Sequence, residues 1–140
     1  MAEECLAVRV RLLNRRLSRI YDGALRPLGL TIAQLNLLSV IEVIEFAPAG
    51  RVADLLAMKI STLSRNACIM ERDGWITIER AERGNGRILR ITSAGLRKLR
   101  EAKPAWDAAQ LEARELLGDE GALELKRLGD GVWDEQLRRV

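Results

Sequence analysis

The chain has 140 residues, 48% of them hydrophobic, and a formal net charge of +3 with no histidine. That is enough apolar content for one domain with a buried core and too much for a disordered tail, while no apolar run is long enough to span a bilayer and no cleavable signal pattern opens the chain. Cytoplasm is the expected compartment, without a membrane partner. With no histidine, no glycine-rich phosphate loop and no carboxylates grouped beside a nucleophile, an enzyme is not expected, nor any catalytic residue, cofactor or metal ligand. Cys5 and Cys68 are far apart and lack CxxC spacing, so neither a disulfide framework nor a thiolate metal site is supported. Each is expected to be a small buried hydrophobe.

In chain order, Leu6, Val10, Leu13, Leu17, Ile20 and Ala24 form a helical stripe, with Arg9, Arg11, Arg15, Arg16 and Arg19 on the other faces. Arg26-Pro27-Leu28-Gly29 ends this helix, because proline disfavours helix in the residue before it and glycine takes a left-handed cap readily. Thr31-Ile32-Ala33-Gln34 then reads as a capping box, stapled by Leu30 and Leu35. The second helix runs to about Ile44 and carries Leu35, Leu38, Ile41 and Val43 with little charge, which places it at the centre of the core. Phe46 to Gly50 is a loop, with Pro48 tolerable at the start of the next helix.

From Val52 to Ile76 two short apolar faces change phase at Ala57, the pattern of helix, tight turn, helix. The second of these helices begins near Ser61. It exposes Ser61, Thr62, Ser64 and Arg65 while Leu63 and Ala67 look inward, a face of hydroxyls and a guanidinium that suits a DNA major groove. After Asp73-Gly74 the period changes to two, with Ile76 and Ile78 on one strand, a turn at Gly84-Asn85-Gly86, and Leu89 and Ile91 on the next. Helix-turn-helix followed by a hairpin is a winged helix.

Thr92 is placed to cap a further helix whose stripe is Leu96, Leu99, Trp106, Ala109, Ala113 and Leu117, with a kink expected near Arg100 to Lys103 from Pro104. Gly118-Asp119 supplies a stop and a new cap. Leu123, Leu125, Leu128, Val132, Trp133 and Leu137 mark a last helix. The terminal helices are too apolar to stand alone, so a symmetric dimer is expected, with Leu6, Leu13, Trp106, Leu128, Val132 and Trp133 in its interface. Charge follows the same division. Residues 59–90 hold seven basic and four acidic side chains, whereas residues 101–140 hold six basic and ten acidic ones, so the basic surface travels with the helix-turn-helix and wing. The expected fold is mainly α. A winged helix-turn-helix with a small β-hairpin wing (residues 30–95) is flanked by N- and C-terminal dimerisation helices (residues 1–28 and 96–140).

This order of elements, together with Pro27-Leu28-Gly29-Leu30-Thr31, Glu71-Arg72-Asp73-Gly74-Trp75-Ile76 and Ile91-Thr92-Ser93-Ala94-Gly95, resembles the MarR family of winged-helix transcriptional regulators over nearly the whole chain. The resemblance implies a homodimer on a pseudo-palindromic operator in double-stranded DNA, with the helix bearing Ser61, Thr62, Ser64 and Arg65 in the major groove. It also implies a wing bearing Arg83, Asn85 and Arg87 along the minor groove, and most often a repressor. In many relatives a small molecule or an oxidant loosens the grip. A small aromatic or apolar effector between the dimer helices and the helix-turn-helix, lined by Tyr21, Leu38, Ile41 and Trp106, is the preferred trigger here. Redox sensing is the alternative. Cys5 stands about half a turn from the position of the reactive cysteine in peroxide-sensing relatives, which turns its thiol to another face.

Two departures from the family pattern stand out. Family wings usually carry an acidic residue two positions before the tip arginine, where this chain has Asn85 before Arg87. Asn66 occupies a position that is usually apolar, for which a local hydrogen bond is the simplest role, with Cys68 packed against a neighbouring helix. The rival reading is a winged helix that serves only as a protein-interaction module. Against it stands the arginine content of the hairpin, Arg80, Arg83, Arg87 and Arg90.

Overall fold

The computed structural model describes residues 4–82, 84 and 86–138. In order these form α1 (Leu6–Leu25), a 3-10 turn (Arg26–Leu28), α2 (Ile32–Val43), β1 (Ala47–Pro48), α3 (Ala49–Leu55), α4 (Ile60–Arg72), β2 (Ile76–Arg80), β3 (Arg87–Ile91) and α5 (Ser93–Arg138). The chain is a mainly helical winged helix: α3 and α4 are the helix-turn-helix, β2 and β3 the wing, and α1 and α5 the flanking helices.

Local chemistry explains each boundary. The capping box forms as the sequence requires, with Gln34 N–H donating to the Thr31 hydroxyl at 3.3 Å and Thr31 N–H donating to the Gln34 side chain at 3.0 Å. Ile32 N–H, also free at this helix start, donates to Asp22 of α1 at 2.8 Å and ties the two helices together. Three elements end in the same six-to-one cap. Leu30 N–H reaches the Leu25 carbonyl, Met58 N–H reaches Ala53 and Trp75 N–H reaches Met70, with Gly29, Ala57 and Gly74 in the left-handed conformation between them. Ala57, at φ 49°, is the only non-glycine residue of positive φ among those described. It sits where the apolar faces change phase, and its Cβ makes the turn costlier than glycine would.

The core runs from Leu25 to Ala102. Leu25, Leu37, Leu38, Ile41, Val52, Leu63, Met70, Ile76 and Leu89 are its largest fully buried side chains, so every element from the end of α1 to β3 contributes except the 3-10 turn and the two-residue β1, whose Ala47 is also buried. At about 1.5–3 kcal/mol for each such side chain, this cluster holds the winged helix together. Val43, expected in the core, is 82% exposed. It lies about 200° around the helix from Ile41, and Leu37 takes the inward place instead.

Residues 46–50 also differ from expectation. Ala47 and Pro48 form a short strand antiparallel to β3, in the order β1-β3-β2, with Ala47 opposite Leu89 and Pro48 opposite Ile88. A proline is acceptable there because β1 is an edge.

The expected kink at Pro104 does not form, while the expected stop at Gly118 does. Backbone dihedrals stay helical through residues 100–104, and the run breaks instead at Gly118 (φ 69°, ψ 162°), which divides α5 into arms 93–117 and 119–138. Proline's own φ fits a helix, whereas ψ near 162° does not, and glycine reaches that left-handed combination most easily. Arm 93–117 packs along α1, where Tyr21 donates a hydrogen bond to Gln110 between the buried Ala109 and Ala113.

The junction between wing and α5 is tight. The Thr92 hydroxyl donates to the Gly74 carbonyl at 2.6 Å, with the Trp75 carbonyl at 3.1 Å, and accepts from Gly95 N–H at 3.1 Å, so it caps α5 and holds the base of the wing at once. A Cβ at Gly95 would lie 2.2 Å from the Trp75 carbonyl oxygen. Only glycine fits this approach.

Candidate nucleic-acid interface

Along α4 the buried Leu63, Ala67 and Met70 fix the inner face. The opposite stripe, at intervals of four, three and four residues, is Ser61, Arg65, Cys68 and Arg72, all exposed, with Thr62 exposed beside it. Ser64 is half-buried on the flank rather than fully outward. Asn66 Nδ2 donates to the Thr62 carbonyl at 3.0 Å, the local bond expected of it. The expectation that Cys68 is buried against a neighbour is corrected: its thiol is exposed, because the helix turns Ala67, not Cys68, toward the core. Cys5 is half-buried just before α1 and makes no capping bond.

The wing stands beside this face. Ala81 N–H donates to the Gly86 carbonyl at 2.9 Å and closes the hairpin, and Arg80 lies opposite Arg87 across it. Arg83 and Asn85, both expected at the wing tip, lie outside the described residues. Like charges directly opposite each other on a hairpin disfavour it, so the Arg80–Arg87 pair costs the wing some stability. Neither these two nor Arg65 makes an ion pair among the described residues. Arg90 behaves differently. Its guanidinium lies 4.0 Å from the centre of the Phe46 ring and its Nε bonds Glu79 at 3.0 Å, so this arginine braces the wing against the segment before β1. Sequence reasoning had counted it among the outward cations, and the Phe46 partner, 44 residues away, carries no local signal.

The residues expected to line an effector crevice do not converge. Leu38 and Ile41 are core side chains, and Tyr21 is half-buried and engaged with Gln110, its phenol pushed up in pKa by burial. Trp106 lines a crevice of about 290 Å³ with Leu35, Ser39, Leu99 and Lys103. A larger one, about 1040 Å³, opens on the neighbouring face of α2 between Val40, Val43, Leu55, Leu56, Arg51 and Trp133. Of the residues expected in a dimer interface, Leu6, Leu128, Val132 and Trp133 are exposed, Leu13 is half-buried, and Trp106 packs in part against the core. The side chain of Leu137 lies outside the described residues. No group of described residues could hold a metal ion, and no single helix is long and apolar enough to cross a membrane.

No protein-family model and no curated protein matches the chain. Solved structures do. The chain is similar to the transcriptional regulator MosR of M. tuberculosis, with 28% identity over 94% of this chain and 98% of that one at a TM-score of 0.78. A second structure of MosR, in complex with DNA, gives 29% identity over 92% and 96% at 0.77. These neighbours are MarR-family transcriptional regulators, and the chain resembles that family in its winged-helix fold over nearly its whole length. More distant MarR-type structures share its fold. A MarR mutant from E. coli complexed with operator DNA matches at 19% identity over 91% and 92% (TM-score 0.77), and CouR from Rhodococcus jostii RHA1 bound to p-coumaroyl-CoA matches at 17% over 95% and 94% (TM-score 0.78).

Proposed function

We propose that this chain is a sequence-specific transcriptional regulator of the MarR type, acting as a repressor, that grips double-stranded DNA as a homodimer. The observation that carries this reading is the exposed face of α4, where Ser61, Thr62 and Arg65 stand clear of the core beside the Arg80–Arg87 pair of the wing. Hydroxyls and a guanidinium on one helical face offer donors to base edges, and Arg65 sits one turn into the helix, where its fork can reach guanine O6 and N7. The wing's arginines suit phosphates and the negative potential of a narrow minor groove. A protein-interaction module would more often present apolar side chains at these positions.

The homodimer is supported by the exposed leucines, Val132 and Trp133 of the terminal helices, large apolar side chains that a second copy could cover. Two-fold related α4 helices enter successive major grooves, so operator half-sites are expected about one helical turn, roughly 10 bp, apart. A small aromatic or apolar effector against Trp106, beside Leu35 and Leu99, is the preferred trigger. Thiol oxidation at Cys5 is less favoured, since no histidine in the chain could hold its thiolate. Footprinting of the dimer on genomic duplex fragments at several salt concentrations tests the reading. Protected pseudo-palindromes with steep salt dependence are expected, and unprotected DNA at low salt would overturn it.

A further inference from the structure

Glu71 is out of place for a residue of a DNA-contacting helix. It stands one residue from the C-terminal end of α4, where the helix dipole disfavours a carboxylate, and it brings negative charge to an element read as meeting phosphate. What it does there is visible in its bonds. Its backbone carbonyl accepts from Gly74 N–H at 2.9 Å, closing the cap that turns the chain out of α4, and its side-chain Oε1 accepts from Ile78 N–H at 3.0 Å.

The second bond bears on the sheet. With strand order β1-β3-β2, β2 is an edge. The bond from Ala81 N–H to Gly86 fixes which pairs of the hairpin exchange hydrogen bonds, and by alternation Ile78 N–H points away from β3. Ile78 is the middle residue of β2, and its outward amide is taken by the helix rather than by water.

We propose that Glu71 is a positioning residue that sets the wing's angle to α4, holding the two elements in the spacing with which they meet DNA. This rests on the DNA-binding reading above. Charge alone and positioning predict opposite signs, which makes the idea testable. If Glu71 acts only through its charge, removing it strengthens binding to DNA in any variant. If it acts through its acceptor oxygen, Glu71→Ala weakens binding, and Glu71→Gln, whose amide keeps an oxygen in the same place, does not.

The experiment uses the full-length protein in wild-type, Glu71→Ala and Glu71→Gln forms. Hydrogen exchange of the Ile78 amide is followed by NMR without DNA, and affinity for sheared genomic duplex DNA is followed by anisotropy against salt. In Glu71→Ala the Ile78 amide should exchange about tenfold faster and DNA affinity should fall about 3- to 10-fold, the range expected for one lost hydrogen bond. The salt slope should stay at its wild-type value, because no phosphate contact is lost. Glu71→Gln should match wild type in exchange and bind at least as tightly. Unchanged exchange in Glu71→Ala, or tighter DNA binding in both variants, overturns the proposal. Wild-type protein that ignores DNA would sink the functional reading instead, while the exchange measurement would still decide the latch.

Discussion

Leu38 of α2 is fully buried, whereas Leu128 of the C-terminal arm of α5 is 56% exposed, although both are leucines on apolar helical stripes. The same contrast separates whole regions. From Leu25 to Leu89 most apolar side chains close on one another around one core, with Val43, Phe46, Ile60 and Ile69 left outside it. Leu6, Val10 and Leu12 at one end, and Leu123, Leu125, Leu128 and Val132 at the other, stay exposed, and Trp133 is 41% exposed at the rim of the crevice it shares with Val40 and Leu56. Periodicity is therefore evidence of a buried face without saying what buries it. The winged helix buries its own apolar faces, and the ends leave theirs in solvent.

Substitutions can sharpen this contrast. The largest effect is expected at Leu38→Ala, which should lower stability by about 2–5 kcal/mol in chemical denaturation, against less than about 0.5 kcal/mol for Val43→Ala in the same helix. Equal effects at the two positions would mean the core is misassigned. Next, Leu128→Asp combined with Val132→Asp should weaken the dimer by about 30- to 1000-fold in sedimentation equilibrium, since charges would enter a desolvated interface. The winged helix should keep its circular dichroism. A dimer of unaltered affinity would place the interface elsewhere.

Smaller effects are expected on the face proposed to meet DNA. Arg65→Ala should cost about 1–3 kcal/mol of specific affinity and relax preference at one symmetric pair of base positions. Arg87→Ala should weaken specific and nonspecific binding evenly and reduce the salt slope by up to about two units per dimer. Wild-type binding by both would return this surface to solvent or to a protein partner. The smallest change is a gain. Ala57→Gly should raise the melting free energy by about 0.5–1 kcal/mol, because glycine takes the left-handed turn without the steric cost of a Cβ.

Much of the fold was legible because it is locally written. Thr31 and Gln34 cap a helix with atoms three residues apart, Thr92 caps another in the same way, and the shift from a helical to an alternating pattern after Gly74 marks the wing. What escaped the sequence depends on distant partners. Ala47-Pro48 is a strand only because β3 lies beside it, and Arg90 is a brace only because Phe46 is there. Leu38 and Ile41 were read as lining a crevice and are core, a distinction that apolar spacing does not carry. Pro104 suggests a kink because it lacks an amide, yet the helix runs through it, and the break falls at Gly118, the stop that the sequence marks. Glu71 gave no signal, since a glutamate near a helix end reads as solvated charge until the outward amide of Ile78 is seen beside it.

The union of Thr92, Trp75 and Gly95 has a mechanical consequence. With the hydroxyl of Thr92 holding the wing's base and no space between Gly95 and the Trp75 carbonyl, the hairpin and the first turn of α5 form a single stiff lever whose fulcrum is that junction. Each wing strand has five residues, and at roughly 3.3 Å per residue a tilt of about 10° at the fulcrum carries the tip about 3 Å. That is the length of one hydrogen bond, so a modest rotation of α5 is enough to move the wing tip by that much without bending the hairpin.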